Sequence, residues 1–196
     1  MGKCMREQIT LEFDGGSRGN PGPAGAGVVL RAADGTALVT LGRFLGRATN
    51  NSAEYRALIL GLEKAKELGA TRLEIRGDSE LIIRQMKGEY RVKHPELREL
   101  YEQAQLLLHD FTQAKFEHRL RQHNSLADRL ANLAMDRKGE VTEADDSDLP
   151  PEERASSTRW RCGRCGCEIE VRRPPAISVS RHKPFVCACG TAMLAG

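Results

Sequence analysis

The sequence predicts an α/β domain built on a five-stranded mixed sheet flanked by helices, followed by a small cysteine-bearing module. Three observations lead there. Strand-like segments follow one another directly at residues 8–14, 25–31 and 36–42. Further along, two more such segments alternate with helical patterns, the order expected of a mixed sheet covered by helices. Five of the six cysteines fall between Cys162 and Cys189, beyond an acidic stretch without apolar periodicity.

Residues 8–14 (QITLEFD) alternate, with Ile9, Leu11 and Phe13 on one face, a strand signal. The strand ends at Asp14, before the turn-rich run GGSRGNPGPAG. Residues 25–31 (GAGVVLR) read as the second strand, Asp34-Gly35 as a hairpin turn and residues 36–42 (TALVTLG) as the third, so these three run antiparallel. A helix is predicted over residues 52–68, with Ser52 as N-cap, Gly69 as stop and Leu58, Leu62, Ala65 and Leu68 inward. Residues 72–77 (RLEIRG) form a short strand running into Asp78, and Ser79 caps a helix that Gly88 ends. Pro95 suits the first turn of the next helix. Leu97, Leu100, Tyr101, Ala104, Leu107, Leu108 and Phe111 give that helix a 3.6-residue period. Residues 114–120 read as the last strand, and Asn124 or Ser125 opens a final helix to Arg137. The order is βββαβααβα.

Of the 196 residues, 40% are hydrophobic and only 5% aromatic, so the core must be largely aliphatic. No apolar run of about 18 residues is present, which argues against a membrane helix, and MGKCMREQIT lacks the apolar stretch of a secretory signal. The expected location is the cytoplasm, and the expected state a monomer. The net charge of +3 is unevenly spread. Residues 1–138 hold 22 Lys+Arg against 18 Asp+Glu, residues 139–158 hold 1 against 7, and residues 159–196 hold 7 against 2. A basic tail beyond an acidic, Pro-containing spacer reads as an added element for a polyanion or a protein partner. The predicted organisation is a main domain over 1–138, an acidic flexible linker over 139–158 and a small module over 159–196.

Four carboxylates draw attention by position. Asp14 and Asp78 end predicted strands, and Glu54 and Asp128 lie in the first turns of helices, where sites in α/β sheets assemble. Taken singly, each reads equally as a cap or a solvated charge.

These residues sit in four segments. FDGGSRGNPGPAGAG, TNNSAEYRALILGLEKA, GDSELIIRQMKGEYRVK and RQHNSLADRLANLAMD closely resemble type 1 ribonuclease H in order and spacing, over about residues 7–137. The resemblance implies a ribonuclease H-like five-stranded mixed sheet and an endonuclease that hydrolyses the RNA strand of RNA–DNA hybrids, leaving 5′-phosphate and 3′-hydroxyl ends. It implies that Asp14, Glu54, Asp78 and Asp128 bind two Mg²⁺ or Mn²⁺ ions. Asp14 would bridge both ions, Asp128 would complete the one that activates water, and Glu54 and Asp78 would hold the one facing the leaving oxygen. The chemistry fits, since two hard ions about 4 Å apart can clamp attacking and leaving oxygens. Gly15, Gly16, Ser17 and Asn20 match a loop that meets the RNA 2′-hydroxyls. Asn50 and Asn51 match polar contacts to the hybrid backbone, and Thr49 matches a residue that holds a DNA phosphate. Small residues let backbone approach a groove closely. Asn51 could equally cap the helix.

The chain departs from some bacterial members in two places. Only RLRQHN joins the last strand to Asn124, where those members carry a longer loop with an assisting histidine, and His123 is the nearest candidate. His118 reads as a structural residue of the strand. Between Gln85 and Leu97 the chain has MKGEYRVKHPE instead of an inserted basic helix, so substrate affinity must come from elsewhere. Competing readings are another nuclease of this fold, such as a resolvase or transposase, and a non-catalytic hybrid-binding module.

In the tail, Cys162 and Cys165 form a CxxCG knuckle and Cys187 and Cys189 a tighter CxCG. Two such pairs resemble a zinc ribbon, in which four thiolates share one Zn²⁺. Cys167 or His182 could replace one ligand. A module of this size is too small to fold on apolar burial alone, and metal would supply the missing stability.

Overall fold

The computed structural model describes residues 8–142, 157–162, 165, 168–172 and 193–195. The chain divides into two compact units, residues 1–144 and 145–196.

The first unit is a mixed sheet flanked by helices. Its strands are β1 (Gln8–Ser17), β2 (Gly22–Ala32), β3 (Ala37–Ala48), β4 (Arg72–Gly77), β5 (Gln113–His118) and β6 (Glu140–Val141). Its helices are α1 (Asn50–Glu67), α2 (Glu80–Met86), α3 (Pro95–Leu108) and α4 (Ser125–Arg137), and residues 121–123 form a 3-10 turn before α4. The sheet order is β5-β4-β1-β2-β3-β6. β1, β2 and β3 pair antiparallel, whereas β4 lies parallel to β1 and β5 parallel to β4.

Side-chain alternation sorts the two faces. Ile9, Leu11, Phe13, Val28, Leu30 and Ile75 point to one side, where Tyr55, Leu58 and Leu62 of α1 and Ile82 and Ile83 of α2 complete a fully buried core. Truncating one such residue, Leu58→Ala for instance, costs about 2–5 kcal/mol. Val29 points to the opposite side, against Ala127, Leu130 and Ala134 of α4. Here α4 approaches the sheet at glycines. A Cβ on Gly27 would stand 1.9 Å from the Ala127 carbonyl oxygen, and one on Gly42 2.4 Å from that of Leu130. No larger residue permits that approach, which seats the first turn of α4 over β2.

Several expectations need correction. The sheet has six strands, because Glu140 and Val141 pair with Arg43 and Gly42. Val141 is buried against Val29 and Leu130. These two residues fall inside the segment expected to be linker, and a two-residue strand gives no periodic signal. β1 does not stop at Asp14. Gly15, Gly16 and Ser17 stay paired with Ala26, Gly25 and Ala24, since backbone pairing needs no side chain. The N-cap of α1 is Thr49, not Ser52. The Thr49 hydroxyl accepts from the Ser52 N–H at 3.3 Å, while the Ser52 hydroxyl donates to Glu96 at 3.2 Å. Asn124 occupies the N-cap position of α4 without capping it, because its buried amide donates to the Phe13 carbonyl at 2.8 Å. β5 ends at His118, two residues early.

In the second unit, β7 (Ser157–Cys162), β8 (Glu168–Arg172) and β9 (Met193–Ala195) form an antiparallel sheet in the order β8-β7-β9. Among the described residues no helix is long and apolar enough to cross a membrane.

Candidate active site

At the carboxyl ends of β1 and β4, the parallel pairing of those strands (Glu12 beside Arg76) carries Asp14 and Asp78 to the same edge. Asp14 lies within β1 and Asp78 follows Gly77 directly. Glu54, in the second turn of α1, faces them from the helix layer. Asp14, Glu54 and Asp78 each offer an oxygen within 4.8 Å of the others. Asp14 is 7% exposed and Glu54 5%. The Gly15 N–H donates to Glu54 Oε2 at 3.2 Å, locking the helix carboxylate to the strand.

The electrostatics of this cluster are unfavourable as they stand. Burial, followed by the charges of Asp78 and Asp128, pushes the Asp14 carboxyl up to about 8. Burial, with Asp14 and Asp78 adding to it, holds Glu54 well above the usual carboxylate range, and only the Gly15 N–H and Arg121 oppose this. Carboxyl groups so crowded and desolvated take up protons unless a cation replaces them. Hard oxygen donors converging on one point suit a divalent cation of the Mg²⁺ or Mn²⁺ kind.

Asp128 stands apart from the three. It is in the first turn of α4 and lines the same cleft, about 310 Å³ in volume, with Asp14, Glu54 and Asp78. Its Oδ1 accepts from Arg121 Nη2 at 2.5 Å, and its Oδ2 accepts from Asn132 Nδ2 at 3.3 Å, a group that also donates to the Asp128 backbone carbonyl at 2.9 Å. Arg121 therefore braces the fourth carboxylate and offsets part of the negative charge. Neither Arg121 nor Asn132 was anticipated from the sequence. The available signals were a cation in the short RLRQHN connection and the i, i+4 spacing of Asp128 and Asn132.

Of the expected substrate-contacting residues, Gly15, Gly16, Ser17 and Asn50 line this cleft, whereas Asn20, Thr49 and Asn51 are not in its lining. The Ser17 N–H donates to Asn50 Oδ1 at 3.3 Å, and the Asn50 N–H to Asn20 Oδ1 at 3.1 Å, so the glycine loop and the start of α1 are tied together. Thr49 caps that helix, and Asn51 is its half-buried second residue. His123 lies in the 3-10 turn, exposed, with Nε2 3.1 Å from the Gln122 amide nitrogen. His118 Nε2 is 3.1 Å from the Asp78 backbone carbonyl, which ties the end of β5 to the Asp78 segment. Arg84 of α2 stacks on Tyr90 of the loop between α2 and α3, 5.1 Å from the ring centre, and donates to its hydroxyl at 2.7 Å.

Of the expected zinc ligands, Cys162 ends β7 and Cys165 is exposed. Cys187 and Cys189, like Cys167 and His182, lie outside the described residues.

Comparison with known proteins places this geometry. A family model described as reverse transcriptase-like matches residues 12–134. The chain is similar to a bifunctional protein, Rv2228c, of Mycobacterium tuberculosis, 46% identical over 160 residues, 80% of this chain and 44% of that one. It thus spans less than half the length of that relative. The solved N-terminal RNase H domain of Rv2228c is 52% identical, with 67% of this chain and 95% of that one covered and a TM-score of 0.65. A ribonuclease HI of Halobacterium salinarum is 47% identical over 66% of this chain and 65% of its own. LC11-RNase H1, solved in complex with RNA/DNA hybrid, is 41% identical over 66% of this chain and 98% of its own, with a TM-score of 0.64.

Proposed function

The chain belongs to the ribonuclease H-like family matched by the reverse transcriptase-like model, and on that premise we propose that it is an endonuclease hydrolysing the RNA strand of RNA–DNA hybrids. One observation carries the reading. Three carboxylates converge within 4.8 Å, in a cleft that also holds Asp128 and is walled by a glycine loop.

Asp14, Glu54, Asp78 and Asp128 would hold a pair of Mg²⁺ or Mn²⁺ ions. Such ions, when bound, supply an activated water and stabilise the charge that develops at a phosphodiester during cleavage. The chain's own contribution is geometric and electrostatic. The Gly15 N–H fixes Glu54, Arg121 and Asn132 fix Asp128, and the buried surroundings of Asp14 and Glu54 exclude water that would screen the site. Without cations this cleft repels a polyanion, so hybrid affinity and divalent cation are coupled. Gly15, Gly16, Ser17 and Asn50, which line the cleft, would meet the hybrid, and Asn20, Asn51 and Thr49 would add contacts beside it. Reading a 2′-hydroxyl requires close contact of this kind. The products would carry 5′-phosphate and 3′-hydroxyl ends.

For residues 159–196, cysteine spacing supports one Zn²⁺ held by Cys162, Cys165, Cys187 and Cys189, and the seven Lys and Arg residues of this segment would lend it positive charge toward nucleic acid. Metal analysis of the purified full chain is expected to find one equivalent of zinc, lost on Cys187→Ser. A zinc-free chain would remove the assignment.

The test of activity compares labelled RNA–DNA hybrid, duplex DNA and a four-way DNA junction, each with Mg²⁺ or Mn²⁺. Cutting of the RNA strand alone is expected. Cutting of the DNA duplex or junction in preference to the hybrid would replace this reading with that of another nuclease.

A further inference from the structure

Arg18 occupies the middle of the glycine loop. Its backbone N–H donates to the Pro23 carbonyl at 2.8 Å, which closes the turn between β1 and β2. Its side chain reaches across to α4, where Nη1 lies 2.6 Å from Asp136 Oδ1. Both side chains are about half exposed, 51% and 55%. An ion pair so open to water adds little to stability, so fold maintenance does not account for it.

Its location is more telling. Asp128, Asn132 and Asp136 follow one another at i, i+4 and i+8 on α4, a spacing that aligns them on one helix face. Asp128 and Asn132 line the cleft, and so does Arg18, held by the last member of this row. At about 1.5 Å per residue, Asp136 sits roughly 12 Å along the helix from Asp128. Arg18 thus stands at the cleft beside the glycine loop, remote from the carboxylate that Arg121 braces.

We propose that Arg18 is a further substrate contact, a clamp for a backbone phosphate of the nucleic-acid strand lying in the cleft, and that Asp136 is a positioning residue that holds its guanidinium ready. This rests on the hybrid-cleaving reading. Two cations, Arg18 and Arg121, line a cleft that carries four carboxylates. Arg121 is engaged with Asp128. Of the five N–H donors of the Arg18 guanidinium, Nη1 meets Asp136, and the half-exposed fork still faces water. A planar fork anchored at both its backbone and its tip loses little freedom when a phosphate arrives.

The test uses the full chain carrying Asp14→Asn, so that bound hybrid is not cut, and measures the dissociation constant for a short RNA–DNA hybrid over a series of salt concentrations. Arg18→Ala is expected to weaken binding and to reduce the slope of log affinity against log salt by about one, the signature of one lost phosphate contact. Asp136→Ala breaks the same ion pair but keeps the cation, and is expected to leave the slope unchanged. A merely structural tie between loop and helix would make the two variants behave alike, and that result, or an unchanged slope in Arg18→Ala, overturns the clamp. Either would leave the hybrid-cleaving reading intact, provided that the Asp14→Asn chain binds hybrid. A wild-type chain that neither binds nor cuts the hybrid with Mg²⁺ or Mn²⁺ present overturns both.

Discussion

Gly15 and Gly16 are adjacent, both follow Asp14, and the structure assigns them opposite tolerances. A Cβ on Gly15 would lie 2.2 Å from the Ala53 carbonyl carbon, 2.3 Å from its oxygen and 2.3 Å from the Glu54 nitrogen. All three are backbone atoms of α1 and cannot rotate away, so Gly15→Ala must push β1 and α1 apart. Overpacking costs about 1–3 kcal/mol where side chains can yield. With backbone in the way, about 3 kcal/mol or more is expected, which lowers Tm by roughly 10 °C in a domain of this size. The same displacement breaks the Gly15–Glu54 hydrogen bond and widens the carboxylate cluster, so cleavage falls more steeply than stability. The nearest atom to a Cβ on Gly16 is Met135 Cε at 4.0 Å, ordinary contact. Gly16→Ala should therefore melt within a degree or two of the parent. If the glycine wall meets the hybrid, it should raise KM while sparing kcat. Thermal denaturation and steady-state cleavage of both variants provide the assay. A Gly15→Ala chain with parental Tm and activity, or a Gly16→Ala chain destabilised as strongly as Gly15→Ala, would refute the reasoning.

Further predictions concern the same corner of the sheet. Asp14 has its carboxyl raised from an ordinary 3.8 to about 8, so between those values the folded chain retains a proton that the unfolded chain has released. Metal-free stability must therefore fall as pH rises from about 4 to about 8, by at most about 1.4 kcal/mol per pH unit for one group. Asp14→Asn should flatten that decline and melt above the wild type at pH 8 in chelator, and parallel pH profiles for the two proteins would contradict this. Asn124→Ala leaves the buried Phe13 carbonyl without its donor at 2.8 Å. It should cost about 1–3 kcal/mol by denaturant unfolding and, because Phe13 precedes Asp14, reduce kcat more than it changes KM.

The four carboxylates stood out by their positions, and the resemblance of their four segments to type 1 ribonuclease H is what joined them into one site. Asp78 follows a short apolar strand that ends where period-2 burial meets Gly77, whereas Asp14 lies within β1, which runs on through the glycines to Ser17. The strand patterns singled out both carboxylates, and the parallel pairing of β1 with β4 is what brings them to one sheet edge. Glu54 and Asp128 were legible because apolar residues and candidate caps marked out α1 and α4. What stayed hidden depends on contacts between distant residues. Val141 looks like one apolar residue in an acidic segment, and only Val29 and Leu130 show why it is buried. Asn124 looked like a helix cap until the Phe13 carbonyl, 111 residues away, claimed its amide. Arg121 and Arg18 each pair with a carboxylate of α4, and nothing in the local sequence of either tells that it faces the cleft. The pairing of β1 through Ser17 was equally silent, since glycine leaves no side-chain pattern behind.

The most direct test of the account is cleavage of an RNA–DNA hybrid labelled separately on each strand, with Mg²⁺ or Mn²⁺, by the full chain and by Asp14→Asn. Loss of the RNA strand alone, yielding 5′-phosphate ends, by the wild-type chain and not by the folded variant, is the predicted result. A hybrid left intact by the wild type under both metals, or cut equally well by Asp14→Asn, would contradict the central claim that the converging carboxylates perform the hydrolysis.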